Sequence, residues 1–502
     1  MIQQQSPPPP YLFLEDLLPK TGWGLYYKFM LAMACANSVV NAAAFMSLFY
    51  AIPLSTCENL VTCGILWGVH ISFLLGKSCG GYSSNCLSDI YGRKRMITYS
   101  LLTIFVTTFT AAFAYNYYMI IVAAFFLGSG LDNNSCTVRI HLAEILPKHK
   151  RGFYLAVCDV FWTVGYLLMS VFAVTMQRPT HVEHRAVDMK LATWRVILAL
   201  SGGFSLVLAC CSALLEESPR YFLHAKKEFL AVLALKQFYA INRSTYGNSF
   251  EVKDQDLRYF VQDYGLSPMP EEVGGLNSVK GAFKLCCRGT KLSLSYPFRS
   301  STVTLMLVRI PLVVFSSVNL NVLLAKLLSQ HHVTSGLGVI YLDYITNVTM
   351  CSSFEDNKTL YGNFFVLAIN IIVGQIIMLW FLDKAGRRLC LVIPMVVSGV
   401  FLVALDFVKD NMIRMIMSSF IIIGVASATT NFSVINIELF PTVIRGTANG
   451  VTNFFATILT IFILRFFHLF ADWVFMVAGT MLIVASLVAN CVDDLKKQPM
   501  VE

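Results

Sequence analysis

Charge is scarce in this chain. Asp, Glu, Lys and Arg make up only 13 % of it, against about 25 % in a soluble globular domain. So few charges cannot cover a water-facing surface, which excludes an ordinary soluble protein. Catalytic signatures are missing too. There is no P-loop, no G-x-S-x-G and no His/Cys set at metal-ligand spacing. No enzyme activity, cofactor or resident metal is therefore expected. The adjacent His331 and His332 read as an ordinary loop pair. The N-terminal MIQQQSPPPP has no basic segment leading into a short apolar core, so it is not read as a cleavable signal. Its proline run reads as a short extended tail.

The 14 cysteines do not form a disulfide framework. Cys35, Cys79, Cys210 and Cys211 lie inside apolar runs, where Cys acts as a small hydrophobe. Cys57, Cys63 and Cys351 lie near the expected outer side and leave room for one disulfide. Cys286 and Cys287, among basic residues, are candidates for palmitoylation. Two unmodified thiols is the plainer reading.

Apolar residues supply 56 % of the chain, and the mean hydropathy is +0.64. Twelve apolar runs occupy roughly 26–50, 62–86, 97–114, 118–142, 153–174, 193–214, 300–326, 362–382, 389–407, 412–437, 448–466 and 471–490. Runs of about 20 residues match a bilayer core. They are expected to be helices, because in lipid the backbone must satisfy its own hydrogen bonds. The fold class is all-α integral membrane. The net charge of +9 is read as basic loops on the cytoplasmic side, with nucleic acid excluded as a partner. Membrane lipids are expected partners, and the chain is expected to be a monomer.

The basic residues give an orientation. Arg93, Lys94 and Arg95, then Lys148, Lys150 and Arg151, then Lys384, Arg387 and Arg388 fall on one face, as does the Lys- and Arg-rich 215–299 stretch. Both termini are therefore expected in the cytoplasm. The opposite face carries the sequons at Asn347 and Asn357, the glycosylation candidates. The sequon at Asn242 falls on the cytoplasmic side and is expected to stay bare. The expected organisation is a tail (1–25), a six-helix half (26–214), a central linker (215–299), a second six-helix half (300–490) and a tail (491–502). Within the linker, ESPRYFLHAKKEFLAVLALKQFYAIN reads as one amphipathic helix with Phe222, Phe229, Leu230, Leu233 and Phe238 on its apolar face.

The halves repeat. LSDIYGRKRM carries Asp89, Gly92, Arg93 and Lys94, and LDKAGRRLC carries Asp383, Gly386, Arg387 and Arg388. EILPKHKRG and ELFPTVIRG carry Glu144 with Arg151 and Glu438 with Arg445. Corresponding residues stand 294 positions apart, the mark of an internal duplication. Gly92 permits a tight turn. Arg93 and Lys94 are expected at the interface, against headgroups and helix C-termini. Asp89 is expected to accept hydrogen bonds from the N-terminus of a neighbouring helix. Together these residues are candidates for gating: contacts that latch the halves and release when they rock.

A second group of charges lies inside the spans: Lys77, Asp132, Arg139, Asp159 and Arg309. Each costs several kcal/mol in lipid and so should face protein or a water-filled cavity. Asp132 and Arg139, seven residues apart, share a helix face. Asp132 is placed near the midplane and the others roughly 4 to 10 Å to its cytoplasmic side, from about 1.5 Å per residue. Two readings stay open. One is a polar network that binds an organic anion or passes a coupling proton through Asp132 or Asp159. The other is a pair of structural contacts, Lys77–Asp159 and Asp132–Arg139, or Arg139 reaching back to the interface. Asn133, Trp162, Asn319, Asn321, Gln375, Asn431, Asn436 and Asn453 complete the candidate site, although a single Asn in a bundle more often joins two helices.

DxxGR(R/K) in both halves, with E-x-x-P-x-x-x-R-G after the fourth and tenth helices, resembles the major facilitator superfamily. WR at 194–195, ESPR at 217–220 and FWTVG at 161–165 resemble more narrowly the synaptic vesicle glycoprotein 2 group and its organic-ion-transporter relatives. The resemblance implies twelve helices in two six-helix pseudo-repeats around a central cavity, with alternating access by rocking. It implies a carrier of a small, charged organic solute. The sequence departs from the family pattern at Asn85-Cys86, where a Gly pair is usual, at Ala124 in place of an Arg, and in the first helix, which has Asn37 and Asn41 but no acid. The lost Gly pair and the absent acid favour an alternative, a transport-incompetent member acting in vesicle trafficking or as a receptor. The intramembrane charges favour the carrier.

Overall fold

The computed structural model describes residues 14–55, 63–176, 193–243, 276–317, 358–469 and 474–492. Helix is the only regular structure among them. The first half contains α1 (Leu25–Ser55), α2 (Cys63–Leu75, a π turn at Gly76–Gly80, then Gly81–Tyr91), α3 (Arg93–Ala112), α4 (Tyr117–Ile145), α5 (Lys148–Met176) and α6 (Thr193–Ser212). The linker contributes α7 (Pro219–His224), α8 (Glu228–Arg243) and α9 (Leu276–Ser293). The second half contains α10 (Arg299–Ser317), α11 (Lys358–Ala385), α12 (Arg387–Ala404), α13 (Asn411–Glu438), α14 (Arg445–Leu469) and α15 (Val474–Ala489).

This is a multi-pass membrane protein. Nine of the described helices are long and apolar enough to cross a bilayer. The rest of the expected set is α2, divided by its π turn, α4, which carries Asp132, Asn133, Asn134 and Arg139, and the shorter α15. Large apolar side chains such as Phe204, Val207, Phe420 and Phe462 point outward. That arrangement is stable only where the surroundings are themselves apolar.

Within each half most helices pack on partners two to five places away in the chain: α1 on α5 and α6, α3 on α6, α2 on α4, α10 on α14, α11 on α13 and α12 on α15, with α3 on α4 and α12 on α13 as the neighbouring pairs. The halves meet along two seams, α2 against α14 and α5 against α11. Each seam joins the second helix of one half to the fifth of the other. Gly446 lets α14 approach closely: a Cβ there would lie 2.6 Å from the Asn85 carbonyl oxygen.

Four expectations change. The linker segment is two helices, because Lys226 takes a left-handed turn at φ 56° between α7 and α8. The buried face of α8 is Ala231, Val232, Ala234, Leu235 and Phe238, while Phe229 and Leu233 are exposed. The cause is the N-terminal segment, where Leu14, Leu17 and Leu18 are buried in the same cluster. Tyr26 stacks on Phe238 at 4.3 Å. The stretch before α1 is thus folded against the linker from residue 14 onward. Finally, several helices run past the expected boundaries at the motif end, because Arg93, Arg387 and Arg445 are neutralised inside the protein.

Candidate functional site

The repeated motifs build two equivalent charge clusters at one end of the bundle. Gly92 and Gly386 hold the same left-handed conformation, at φ 101° and 92°, which aims the following arginine back at its own half. Arg93 donates to the Ser88 carbonyl at 3.1 Å, and Arg387 to the Leu382 carbonyl at 3.2 Å. Arg93 pairs with Asp89 at 3.3 Å and Glu144 at 3.1 Å. Arg387 pairs with Asp383 at 2.9 Å and Glu438 at 3.3 Å.

Each glutamate then takes an arginine from the other half. Glu144 pairs with Arg445 at 2.9 Å, and Glu438 with Arg151 at 2.9 Å. Asp89 accepts from the backbone N–H groups of Gly446 and Thr447 at 3.2 and 2.8 Å, where the start of α14 favours negative charge. Arg93 also donates to the Thr442 carbonyl across the seam at 2.9 Å. It is fully buried, which corrects the expectation that it meets lipid headgroups. Lys94 and Arg388 are less enclosed.

The ESPR stretch braces the first cluster. Glu217 accepts from the N–H groups of Arg93 and Lys94 at 3.0 and 3.1 Å, capping α3. Burial nevertheless pushes its carboxyl above the ordinary range. Arg220 donates to the Glu144 carbonyl at 3.2 Å, and the Tyr221 hydroxyl to the Ile90 carbonyl at 2.9 Å.

Beyond these clusters lies a cavity of about 420 Å³ lined by both halves. Lys77, Asp132, Arg139, Asp159, Trp162, Arg309, Gln375 and Asn436 all border it. Arg139 pairs with Asp159 at 2.8 Å, so the expected partition into Lys77–Asp159 and Asp132–Arg139 is wrong. Seven residues of helix separate Asp132 from Arg139 by about 10 Å along the axis, too far for contact, whereas Asp159 lies across on α5. Asp159 also accepts from the Ser433 hydroxyl at 3.0 Å. Gln375 accepts from the Thr163 hydroxyl at 2.8 Å. Both contacts join the two halves.

Lys77 sits on the π turn of α2, a distortion frequent at functional sites. Arg309 donates through one nitrogen to Asn449 at 2.9 Å and lies over the Phe432 ring at 5.6 Å. Asn436 hydrogen-bonds Asn449.

Three candidates lie outside the cavity. Asn133 joins α3 to α4 through the Met96 carbonyl at 3.4 Å. Asn431 donates to the Arg387 carbonyl, and Asn453 to the Lys77 carbonyl at 3.3 Å. Asn319, Asn321, Asn347, Asn357, Cys57 and Cys351 fall outside the described residues. Asn37 and Asn41 accept from Asn134 at 3.2 and 2.9 Å. Sequence reasoning missed Asn449, Phe45, His70, Tyr166 and Phe432, all on the cavity wall. Asn449 was within reach, since it lies one turn before Asn453 on the same face.

A family model described as "Sugar (and other) transporter" matches residues 29–251. The folded chain superposes on the proton:xylose symporter XylE bound to 6-bromo-6-deoxy-D-glucose with a TM-score of 0.70. That match covers 95 % of this chain and 98 % of the other at 14 % identity. This is the major facilitator fold. The inward-open form of XylE gives a TM-score of 0.56. Among sequence relatives, organic cation/carnitine transporter 7 of Arabidopsis thaliana is 26 % identical over 46 % of this chain and 44 % of its own length. The major myo-inositol transporter IolT of Bacillus subtilis is 23 % identical over 79 % of this chain and 73 % of its own. Synaptic vesicle glycoprotein 2B of Rattus norvegicus is 22 % identical over 46 % and 33 %. The chain thus aligns with less than half the length of the first and third of these relatives.

Proposed function

We propose that this protein is a secondary transporter moving a small, charged organic solute by alternating access. The supporting observation is the pairing of two features. Buried charges from both halves border one cavity, and ion pairs between the halves fasten them together at the end that carries the repeated motifs. Rocking of the halves would exchange the closed end. The positive-inside pattern puts that end, the linker and both termini on the cytoplasmic side, of either the plasma membrane or an intracellular vesicle. Asp132 and Asp159 are the groups through which a proton would couple.

The competing reading, a non-transporting receptor or trafficking protein, draws on the first helix. There Asn37 and Asn41 are engaged with Asn134 and supply no titratable group. Uptake by proteoliposomes decides between the two. Labelled organic anions and cations are screened with and without a pH gradient, beside Asp132→Asn/Asp159→Asn. Saturable uptake lost in the variant supports the carrier and gives the acids a part in it. Absence of uptake across the panel, with folded protein verified, favours the receptor.

A further inference from the structure

The charges around the cavity do not balance. Arg139 and Asp159 form a closed pair at 2.8 Å, and Asp159 takes a further hydroxyl from Ser433. That pair is internally neutral. Lys77, Asp132 and Arg309 remain, and none of them forms an ion pair among the described residues. Among the described residues Asp132 is held by a 3.4 Å contact from the Asn85 amide and by Asn453. Lys77 and Arg309 both act on Asp132 and on each other at electrostatic range. Two cations therefore face one carboxylate, leaving one positive charge within the cavity. Such a charge is costly unless something neutralises it.

Arg309 is prepared for a ligand. It commits one nitrogen to Asn449 and Thr452, and Phe432 supports its guanidinium plane. The rest of its planar fork suits a carboxylate. Lys77 comes from the first half and Arg309 from the second, so a group held by both would join the halves. Phe45 and Trp162, with ring centroids 6.1 Å apart, supply an apolar wall in the same cavity.

We propose that the cavity selects solutes with one anionic group, a carboxylate held between Lys77 and Arg309, and an apolar body against Phe45 and Trp162. This rests on reading the cavity as the solute site. Asp132 then offsets one of the two cations, so that a single negative charge on the solute completes the balance.

The test uses the full-length protein purified in detergent and three probes of matched shape: benzoate, benzylamine and benzyl alcohol. Equilibrium binding and the thermal midpoint are both read. Benzoate alone should bind and raise the midpoint. Lys77→Met and Arg309→Met should each weaken benzoate binding by about 30-fold or more, as loss of one partner of a buried charge contact does. Asp132→Asn should tighten it. Midpoints without ligand report whether each variant folds. If the Met variants do not fold, Lys77→Arg and Arg309→Lys carry the test: both should bind benzoate, the second more weakly because it lacks the fork.

Binding of benzylamine alone, an equal response to benzyl alcohol, or no response to any probe would overturn the proposal. So would benzoate binding that survives the loss of both cations. Benzoate binding without uptake in proteoliposomes would remove the transporter reading but keep the anion clamp. Uptake of benzylamine without benzoate binding would do the reverse.

Discussion

Glu144 of the first half meets Arg445 of the second at 2.9 Å, and Glu438 meets Arg151 at the same distance with the halves exchanged. A contact duplicated in this way resists opening from both sides. Glu144 is fully buried and also neutralises Arg93. Glu144→Gln should therefore weaken the closed end by about 3–5 kcal/mol, the cost of stranding a buried charge. The readout is alkylation of the buried Cys86, followed site by site by mass spectrometry. Its rate should rise; an unchanged rate would mean that the pair does not hold the end shut.

The Arg139–Asp159 pair allows a double-mutant cycle. Asp159→Asn alone leaves Arg139 uncompensated and should lower the thermal midpoint, by about 3–5 kcal/mol in free energy. Arg139→Met/Asp159→Asn should recover most of the loss. Additive losses would mean that the two side chains stabilise the fold independently.

Gly92 and Gly386 should tolerate alanine poorly, at about 1–3 kcal/mol each, because φ 101° with ψ 159° and φ 92° with ψ 157° lie in a region that only glycine adopts readily. Gly92→Ala should cost more, because its Cβ would fall 2.4 Å from a Glu217 carboxylate oxygen. Gly203 has open space around it, so Gly203→Ala should be neutral or slightly stabilising. Thermal midpoints of the three variants rank these effects.

Glu217→Ala should cost about 1 kcal/mol through the lost α3 cap. Burial holds the Glu217 carboxyl above its ordinary value of 4.5, so the folded protein binds this proton more tightly than the unfolded chain does. Its contribution is complete below about 4.5 and fades as pH rises through the folded value. Glu217→Gln should remove that slope from a plot of stability against pH; an unchanged slope would assign it to another group.

Topology has its own check. Asn242 accepts the Tyr26 N–H at 3.0 Å beside the start of α1, a place no glycan would fit. In a eukaryotic host, endoglycosidase should shift the wild-type band, and Asn347→Gln/Asn357→Gln should abolish the shift. Asn242→Gln should leave it unchanged. A glycan at Asn242 would invert the orientation.

The sequence by itself determined the helical class and the count of halves. Long apolar runs have one common solution in lipid, because each backbone group must find a partner within its own helix. The 294-residue offset made the duplication visible, and Gly92 and Gly386 marked the turns because few other residues accept that backbone. The cost of charge in lipid also brought Lys77, Asp132, Arg139, Asp159 and Arg309 into view as inward-facing.

Only the tertiary structure decided which acid meets which base. Periodicity fixes the face and depth of a residue on its own helix, but not the rotation of the helix beside it. Asp132 and Arg139 share a face yet lie two turns apart, and the arginine is answered from α5. Arg93 looked like an interfacial charge because nothing in its own stretch says that Glu144, 51 residues on, and Thr442, 349 residues on, close over it. The meeting of the two halves turned a charged loop into a buried latch. The same meeting left Lys77 and Arg309 facing one cavity from opposite halves, a relationship written in neither half alone.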